Sequence, residues 1–160
     1  MASTASHGPG RLVAPRLAEV DRRLVELLTE DGRRSVNELA ARAGISRANA
    51  YQRLARLRHE GVITGFSVRT DPRKLGLEVS ALVMVNADQG SWRQLRDQLE
   101  KLPGAQYVAL TAGDFDFVVL VRVPDVETLR DVVLERLQAM PQVRSTQTVF
   151  ILDEHDELNR

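Results

Sequence analysis

One stretch of the sequence, near residues 47–60, gathers side chains that could read a nucleic acid. Arginine and amide groups fall on the outward face of a predicted helix, with a hydroxyl at its start and an aromatic ring at its edge. Arginine can form a bidentate hydrogen bond with guanine, and asparagine and glutamine can do so with adenine. Any arginine can also reach a phosphate. These candidate DNA contacts are Ser46, Arg47, Asn49, Tyr51, Gln52, Arg53 and Arg56. An ordinary solvated helix face remains the alternative.

A second stretch, Thr111-Ala-Gly-Asp-Phe-Asp116, could bind a small zwitterion. Gly113 can adopt a positive φ, and successive backbone N–H groups there can cup a carboxylate. Asp114 and Asp116 could accept hydrogen bonds from an ammonium group. The loop therefore suits a free amino acid, although Gly-Asp is also simply a good hairpin turn.

Catalytic and metal chemistry have little support in the sequence. There is no cysteine, and the three histidines (His7, His59 and His155) have no ligand spacing. No nucleophile or base accompanies the two carboxylates of the loop. We therefore expect no enzyme activity, no metal and no cofactor beyond an amino-acid effector.

Composition indicates a globular protein whose charge is unevenly distributed. The chain has 160 residues, of which 43% are apolar, which allows one large domain or two small ones. The net charge is zero, yet residues 1–65 carry +4 and residues 66–160 carry −4. No apolar run is long enough for a membrane span and no signal peptide is apparent, so we expect a cytoplasmic protein.

The first half has the pattern of three short helices. Apolar periodicity predicts a helix near 18–30, and Ser35 with Glu38 forms a capping box that starts the second. Gly44 ends the second helix and Ser46 caps the third, so only Gly44 and Ile45 connect them. Such a short glycine-containing connection is typical of a helix-turn-helix. Weak alternation from Val62 to Thr70, around Gly65, predicts a short hairpin or edge strand that would form a wing.

The second half contains an internal repeat. Leu99 to Ala105 matches Leu137 to Val143, and in each copy a helix ends before a proline and a strand follows. The predicted strands are 79–85, 105–111, 117–123 and 143–152, in the order βαββαβ of a ferredoxin-like domain. The first and third strands are apolar on both faces, although helices would cover only one. A second copy of the chain would cover the other, so we expect a dimer.

The predicted organisation has five parts. These are a disordered tail (1–16), a winged helix-turn-helix domain (17–70), a linker (71–78), a ferredoxin-like effector-binding and oligomerisation domain (79–152) and a C-terminal tail (153–160). The expected fold class is therefore α+β, with the helix-turn-helix domain preceding the βαββαβ domain.

Seven motifs together resemble the Lrp/AsnC, or feast/famine, family of transcription regulators over residues 17–152. They are Asp21-Arg-Arg-Leu24, Asp31-Gly-Arg33, Glu38-Leu-Ala40, Gly44-Ile-Ser46, Arg53-Leu-Ala-Arg-Leu57, Glu60-Gly-Val-Ile63 and Gly113-Asp-Phe-Asp116. One departure is Ala18, where the family usually has a helix-capping aspartate.

The resemblance implies dimers that often assemble to octamers, with an amino-acid effector bound between dimers. It places effector binding on Gly113, Asp114 and Asp116, together with the neighbouring strand residues Thr111 and Thr146, and it places DNA reading on the third helix. Two alternatives stay open. One is a ligand-independent architectural protein that bridges double-stranded DNA, and the other is a small ferredoxin-like enzyme with a helical module.

Overall fold

The computed structural model describes residues 17–88, 90 and 92–154. Within them the chain separates into two compact units, one ending at Ser67 and the other beginning at Val68. The tail predicted over residues 1–16 lies outside the described residues, as does the end of the tail predicted over 153–160. The finer domain limits given above stay predictions.

The first unit consists of three helices around a small leucine core. They are α1 (Glu19–Glu30), α2 (Val36–Ala43) and α3 (Arg47–His59). Leu24 and Leu27 of α1 pack with Leu39 of α2, and all three are fully or almost fully buried. The helical periodicity predicted these inward positions because apolar residues three and four apart share one helix face. Ala18, at the start of α1, provides no side-chain cap.

No strand forms between residues 62 and 70, so the predicted wing is wrong for the described chain. The N–H groups of Val62 and Ile63 donate to the carbonyl oxygen of Leu57 at 2.9 and 3.1 Å, which closes the end of α3. The residues that would form the first strand of a hairpin around Gly65 thus cap α3 instead. Val68, which follows, is 85% exposed.

The second unit is a four-stranded antiparallel sheet with two helices. Its elements are β1 (Val79–Ala87), α4 (Trp92–Leu99), β2 (Ala105–Leu110), β3 (Phe117–Val123), α5 (Val126–Arg130) with a π-helical continuation (Asp131–Leu137), and β4 (Val143–Phe150). The spatial order β2-β3-β1-β4 is that of the predicted βαββαβ arrangement, which is confirmed. Its last strand ends two residues earlier than predicted.

One face of the sheet forms the core of this unit. Alternate residues of β1 and β3 are buried against both helices, as the period of two along a strand requires. Gly104, just before β2, lies close to β3. A Cβ atom built there would come within 2.5 Å of the Arg122 carbonyl oxygen, at a φ of +78°, so only glycine fits.

The opposite face of the sheet carries no helix in the described chain. Its centre is apolar because Leu82 lies opposite Leu120, and Met84 lies opposite Val118, in the register of β1 and β3. Val149 of β4, opposite Leu82, continues this open face and is 41% exposed.

Candidate DNA-reading helix and effector loop

The connection between α2 and α3 is a short turn whose backbone groups are satisfied. Gly44 lies in the left-handed region at φ 66°, which a glycine adopts without steric cost. Its N–H group donates to the carbonyl oxygen of Ala41, and that of Ile45 donates to Ala40 at 3.0 Å. The Ser46 hydroxyl then accepts the Asn49 N–H group at 3.2 Å, which caps α3. The predicted helix-turn-helix is confirmed.

The exposed face of α3 presents Arg47, Tyr51, Gln52 and Arg56. The Arg47 guanidinium lies 5.5 Å from the centroid of the Tyr51 ring, a cation–π contact that restrains both side chains. Alanines at 48 and 55 are exposed between the longer side chains. Their small size leaves the backbone of α3 accessible from this side.

Two of the predicted DNA contacts also bind a buried carboxylate. Asp21 of α1 is 1% exposed, and its Oδ1 accepts Arg53 Nη1 at 2.9 Å. Its Oδ2 accepts Arg56 Nη2. Sequence reasoning named Asp21 only as the first residue of a resemblance motif and gave it no role, although it lies three residues before Leu24 on the inward face of α1. An acidic residue at such a position requires a buried partner.

Arginine provides the permanent positive charge of α3. The helix α3 (Arg47–His59) contains four arginines, and no lysine occurs in residues 1–65. The two lysines, Lys74 and Lys101, are exposed in the second unit. The planar guanidinium can bind a base or a phosphate through two parallel hydrogen bonds, whereas an ammonium group acts as a point charge.

The effector loop, residues 111–116 between β2 and β3, is fastened at its two ends. The Thr111 N–H group donates to the Asp116 carbonyl oxygen at 2.8 Å. Asp116 Oδ2 accepts the Ala87 N–H group of β1 at 2.8 Å, so this carboxylate helps to hold the loop in place. Gly113 and Asp114, in the middle, are exposed, and Asp114 has no polar partner within the described chain.

The structure differs from the sequence-based description of Gly113. Its φ is not positive, in contrast to five other glycines of the described chain. A Cβ atom built at Gly113 would meet no atom within 4 Å. Neither strain nor a close contact therefore requires glycine here within one chain.

The five predicted effector residues do not converge within one protomer. Thr146 lies on β4 opposite Val85, which in turn pairs with Phe117 of β3. Three strand spacings separate β4 from β2, or roughly 14 Å at ~4.8 Å each. Thr111 and Thr146 thus lie too far apart for one small amino acid to touch both in the same copy. The Thr146 hydroxyl instead accepts Gln138 Nε2 at 3.3 Å.

Sequence reasoning missed a cation beside this loop. Arg144 Nε lies 3.5 Å from Asp88 Oδ1, and Arg144 Nη2 lies 4.0 Å from Asp116 Oδ2. The antiparallel pairing of β4 with β1 brings these groups together, and no local pattern predicts it. The guanidinium is 60% exposed and adds a carboxylate-binding group to this end of the sheet.

The described residues contain neither a cluster of metal ligands nor a membrane-spanning helix. No three histidine, aspartate or glutamate side chains are grouped so that they could hold a metal ion. None of the described helices combines the length and apolar character needed to cross a membrane.

Comparison with known families matches both units. The AsnC-type helix-turn-helix domain matches residues 17–58, and the Lrp/AsnC ligand binding domain matches residues 80–160. The chain is also similar to the leucine-responsive regulatory protein of Escherichia coli, with 31% identity over 147 residues that cover 90% of each chain. These matches are regulators of transcription, which sets aside the enzyme alternative.

Solved structures give the same result. A Mycobacterium tuberculosis leucine response regulatory protein, LrpA, is 34% identical, with a TM-score of 0.78 over 86% of this chain and 94% of that one. A Neisseria meningitidis transcriptional regulator, described in complex with L-Met, is 22% identical, with a TM-score of 0.79 over 87% and 92%. Helix-turn-helix, ligand-binding domain and overall likeness together show that this chain belongs to the Lrp/AsnC family of transcriptional regulators.

Proposed function

We propose that this regulator binds operator DNA through α3 and that an amino acid, bound between subunits of its second domain, changes its DNA occupancy or assembly. One observation carries the proposal: a single chain combines an exposed, donor-rich helix with a loop whose Asp114 carboxylate is exposed and has no partner in the described chain. Carboxylates of this kind bind ammonium groups with charge-assisted hydrogen bonds.

The DNA-reading residues of this proposal are those of the predicted set, from Ser46 to Arg56. Arg47, Tyr51, Gln52 and Arg56 have the exposure that base or phosphate contact needs. In a dimer, two copies of α3 would meet half-sites about one helical turn apart, ~34 Å, or a multiple of it. A pseudo-palindromic operator follows from that symmetry.

The effector residues of this proposal are Thr111, Gly113, Asp114, Asp116 and Thr146. Because Thr111 and Thr146 lie on opposite edges of the sheet, an effector that touches both must be held between two chains. An amino acid is the class that fits, and the Escherichia coli relative is named for its response to leucine. An effector held between chains shifts the equilibrium between two assembly states only if it binds one of them more tightly than the other.

The open face of the sheet supports self-association. Leu82, Met84, Val118 and Leu120 form an apolar surface that a second copy would cover isologously. Association of dimers to octamers is the further step that we propose from the family. Such a protein would act on DNA in the cytoplasm.

Calorimetry with the twenty amino acids, followed by DNA binding with any ligand found, tests this function. We expect at least one amino acid to bind and to change the DNA affinity or the sedimentation of the protein. Binding by none of them would refute the effector and leave a ligand-independent architectural protein.

A further inference from the structure

Asp21 is the only buried charged residue within the described ranges. It lies in the first turn of α1, and its side chain is 2% exposed. An ionised carboxylate removed from water is costly unless several hydrogen bonds compensate it. The stability of the first unit therefore depends on the hydrogen-bond partners of this carboxylate.

Two arginines of α3 share this carboxylate, one on each oxygen. Arg53 Nη1 donates to Oδ1 at 2.9 Å and Arg56 Nη2 donates to Oδ2. The two arginines are three residues apart and thus share one face of α3. The carboxylate consequently fixes both the distance and the rotation of α3 relative to α1.

Arg53 is further engaged on its own helix. Its Nε donates to Asn49 Oδ1 at 2.8 Å, and its side chain is 25% exposed. Arg56 is 50% exposed, and its second partner is the exposed Glu60, whose Oε1 lies 3.8 Å from Arg56 Nε. An exposed pair of this kind contributes little, so Arg56 can exchange Glu60 for another anion. The two arginines thus have different freedom, although sequence reasoning treated them alike.

We propose that Asp21 is a positioning residue of the DNA-reading surface, which holds α3 through Arg53 and keeps Arg53 out of contact with DNA. Arg47, Gln52 and the exposed part of Arg56 then read the DNA. The inference rests on the proposed function and revises the role of Arg53 in it. Base readout tolerates displacements of only a fraction of an ångström. The leucine core of the first unit is small, so the position of α3 also depends on the contacts of Asp21.

The competing assignment is that Arg53 contacts a phosphate. A phosphate contact contributes about one unit to the slope of log K against log salt and acts on all sequences alike. A positioning residue leaves that slope unchanged and lowers the ratio of specific to non-specific affinity. Simple unfolding would lower both affinities together and leave the ratio unchanged.

The experiment uses the 160-residue chain and two duplexes. One is selected from a random-sequence pool by the wild-type protein, and the other is a scrambled duplex of the same composition. The variants are Asp21→Asn, which keeps the shape of the side chain, and Arg53→Gln. The matched control is Glu19→Gln, since Glu19 lies in the same helical turn, loses the same charge and has an 85% exposed side chain.

We expect the ratio of affinities to fall at least ~10-fold in Asp21→Asn and Arg53→Gln, by analogy with the cost of losing one good base contact. The salt slope on the scrambled duplex should stay within experimental error of wild type in Arg53→Gln. Glu19→Gln should keep the wild-type ratio.

Two results would overturn the proposal: a salt slope lowered by about one in Arg53→Gln, or a ratio within about twofold of wild type in whichever of Asp21→Asn and Arg53→Gln keeps the circular dichroism spectrum of the folded protein. If the wild-type protein selects no sequence, the proposed function has failed. The thermal midpoints of Asp21→Asn, Arg53→Gln and the double variant then test the contact between Asp21 and Arg53 without any measurement of DNA binding. Losses that are less than additive support it, and additive losses refute it.

Discussion

The two candidate sites differ in how much of each is complete within one chain. The reading helix α3 is capped by Ser46, joined to α2 by a satisfied turn and fastened to α1 by the Asp21 carboxylate. The effector loop is held at Thr111 and Asp116, whereas Gly113 and Asp114 between them are exposed. In the proposed function the first surface meets rigid DNA, which requires preorganisation by its own fold. The second site would be completed only when two chains meet.

The largest expected effect tests whether the second site depends on assembly. Leu120→Asp places a charge at the centre of the open sheet face, opposite Leu82. We expect self-association to weaken by on the order of 100-fold or more, as for loss of an interface hot spot, and effector binding to disappear with it. Sedimentation and calorimetry measure both quantities.

The control is Leu134→Asp, the same substitution at a position that is 51% exposed on the helical segment after α5. It should leave the dimer intact. A dimer that persists in Leu120→Asp would contradict the assignment of the open face, and an effector that binds the resulting monomer would contradict a site between chains.

Asp114→Ala should remove effector response and leave the fold intact. Loss of a charged hydrogen bond corresponds to about 1.5–3 kcal/mol, or roughly 10–100-fold in effector affinity. Ligand-free DNA binding and the thermal midpoint should not change because Asp114 is exposed and unpaired in the described chain. Asp97→Ala, an exposed aspartate on α4, provides the control. Calorimetric affinity equal to wild type would exclude Asp114 from the site.

Asp116→Ala should behave differently from its neighbour. The Ala87 N–H group loses its acceptor, so the free energy of unfolding should fall by about 1–2 kcal/mol. Fluorescence of Trp92, the only tryptophan, can follow unfolding of this unit in urea. An unchanged urea midpoint would mean that the carboxylate does not anchor the loop.

Ser46→Ala should have a smaller effect, on the first unit. Loss of the hydroxyl that accepts the Asn49 N–H group should lower helix stability by about 1 kcal/mol. Ser46→Thr, which keeps a capping hydroxyl, should recover most of it. Circular dichroism in urea measures both variants, and equal midpoints for alanine and threonine would argue against capping.

The smallest effect is a pH dependence of the first unit. The backbone N–H group and the hydroxyl of Ser35 donate to Glu38, which lowers the pKa of that carboxyl below its usual 4.5. Its stabilisation is thus present above the unfolded-state pKa and is lost as the pH falls through the lower folded-state value. Glu38→Ala should lower the urea midpoint at neutral pH and converge with wild type in acid. A constant difference at all pH values would contradict this.

Local signals in the sequence predict most of the first unit. The Ser35–Glu38 capping box, Gly44 and Ser46 each act within a few residues, and the helices begin and end where these signals indicate. The prediction of a wing was wrong because the alternation around Gly65 indicates only an extended chain. An extended chain becomes a strand only when it pairs with a second strand. Val62 and Ile63 cap α3 instead.

Contacts between distant residues were not predictable in the same way. Asp21 meets Arg53 across 32 positions, and Arg144 meets Asp116 only through the pairing of β4 with β1. Periodicity along α1 concerns apolar residues and gave no role to the buried Asp21. Thr146 was predicted to bind the effector together with Thr111, and the strand order places these two residues on opposite edges of the sheet.

The exclusive use of arginine on α3 has a consequence for chemical modification. Acetylation and amine-directed labels neutralise lysine side chains and leave guanidinium groups charged. The lysine side chains, Lys74 and Lys101, are exposed in the second unit. Acylation of lysine side chains can therefore alter the charge of the second unit, while α3 keeps its full positive charge.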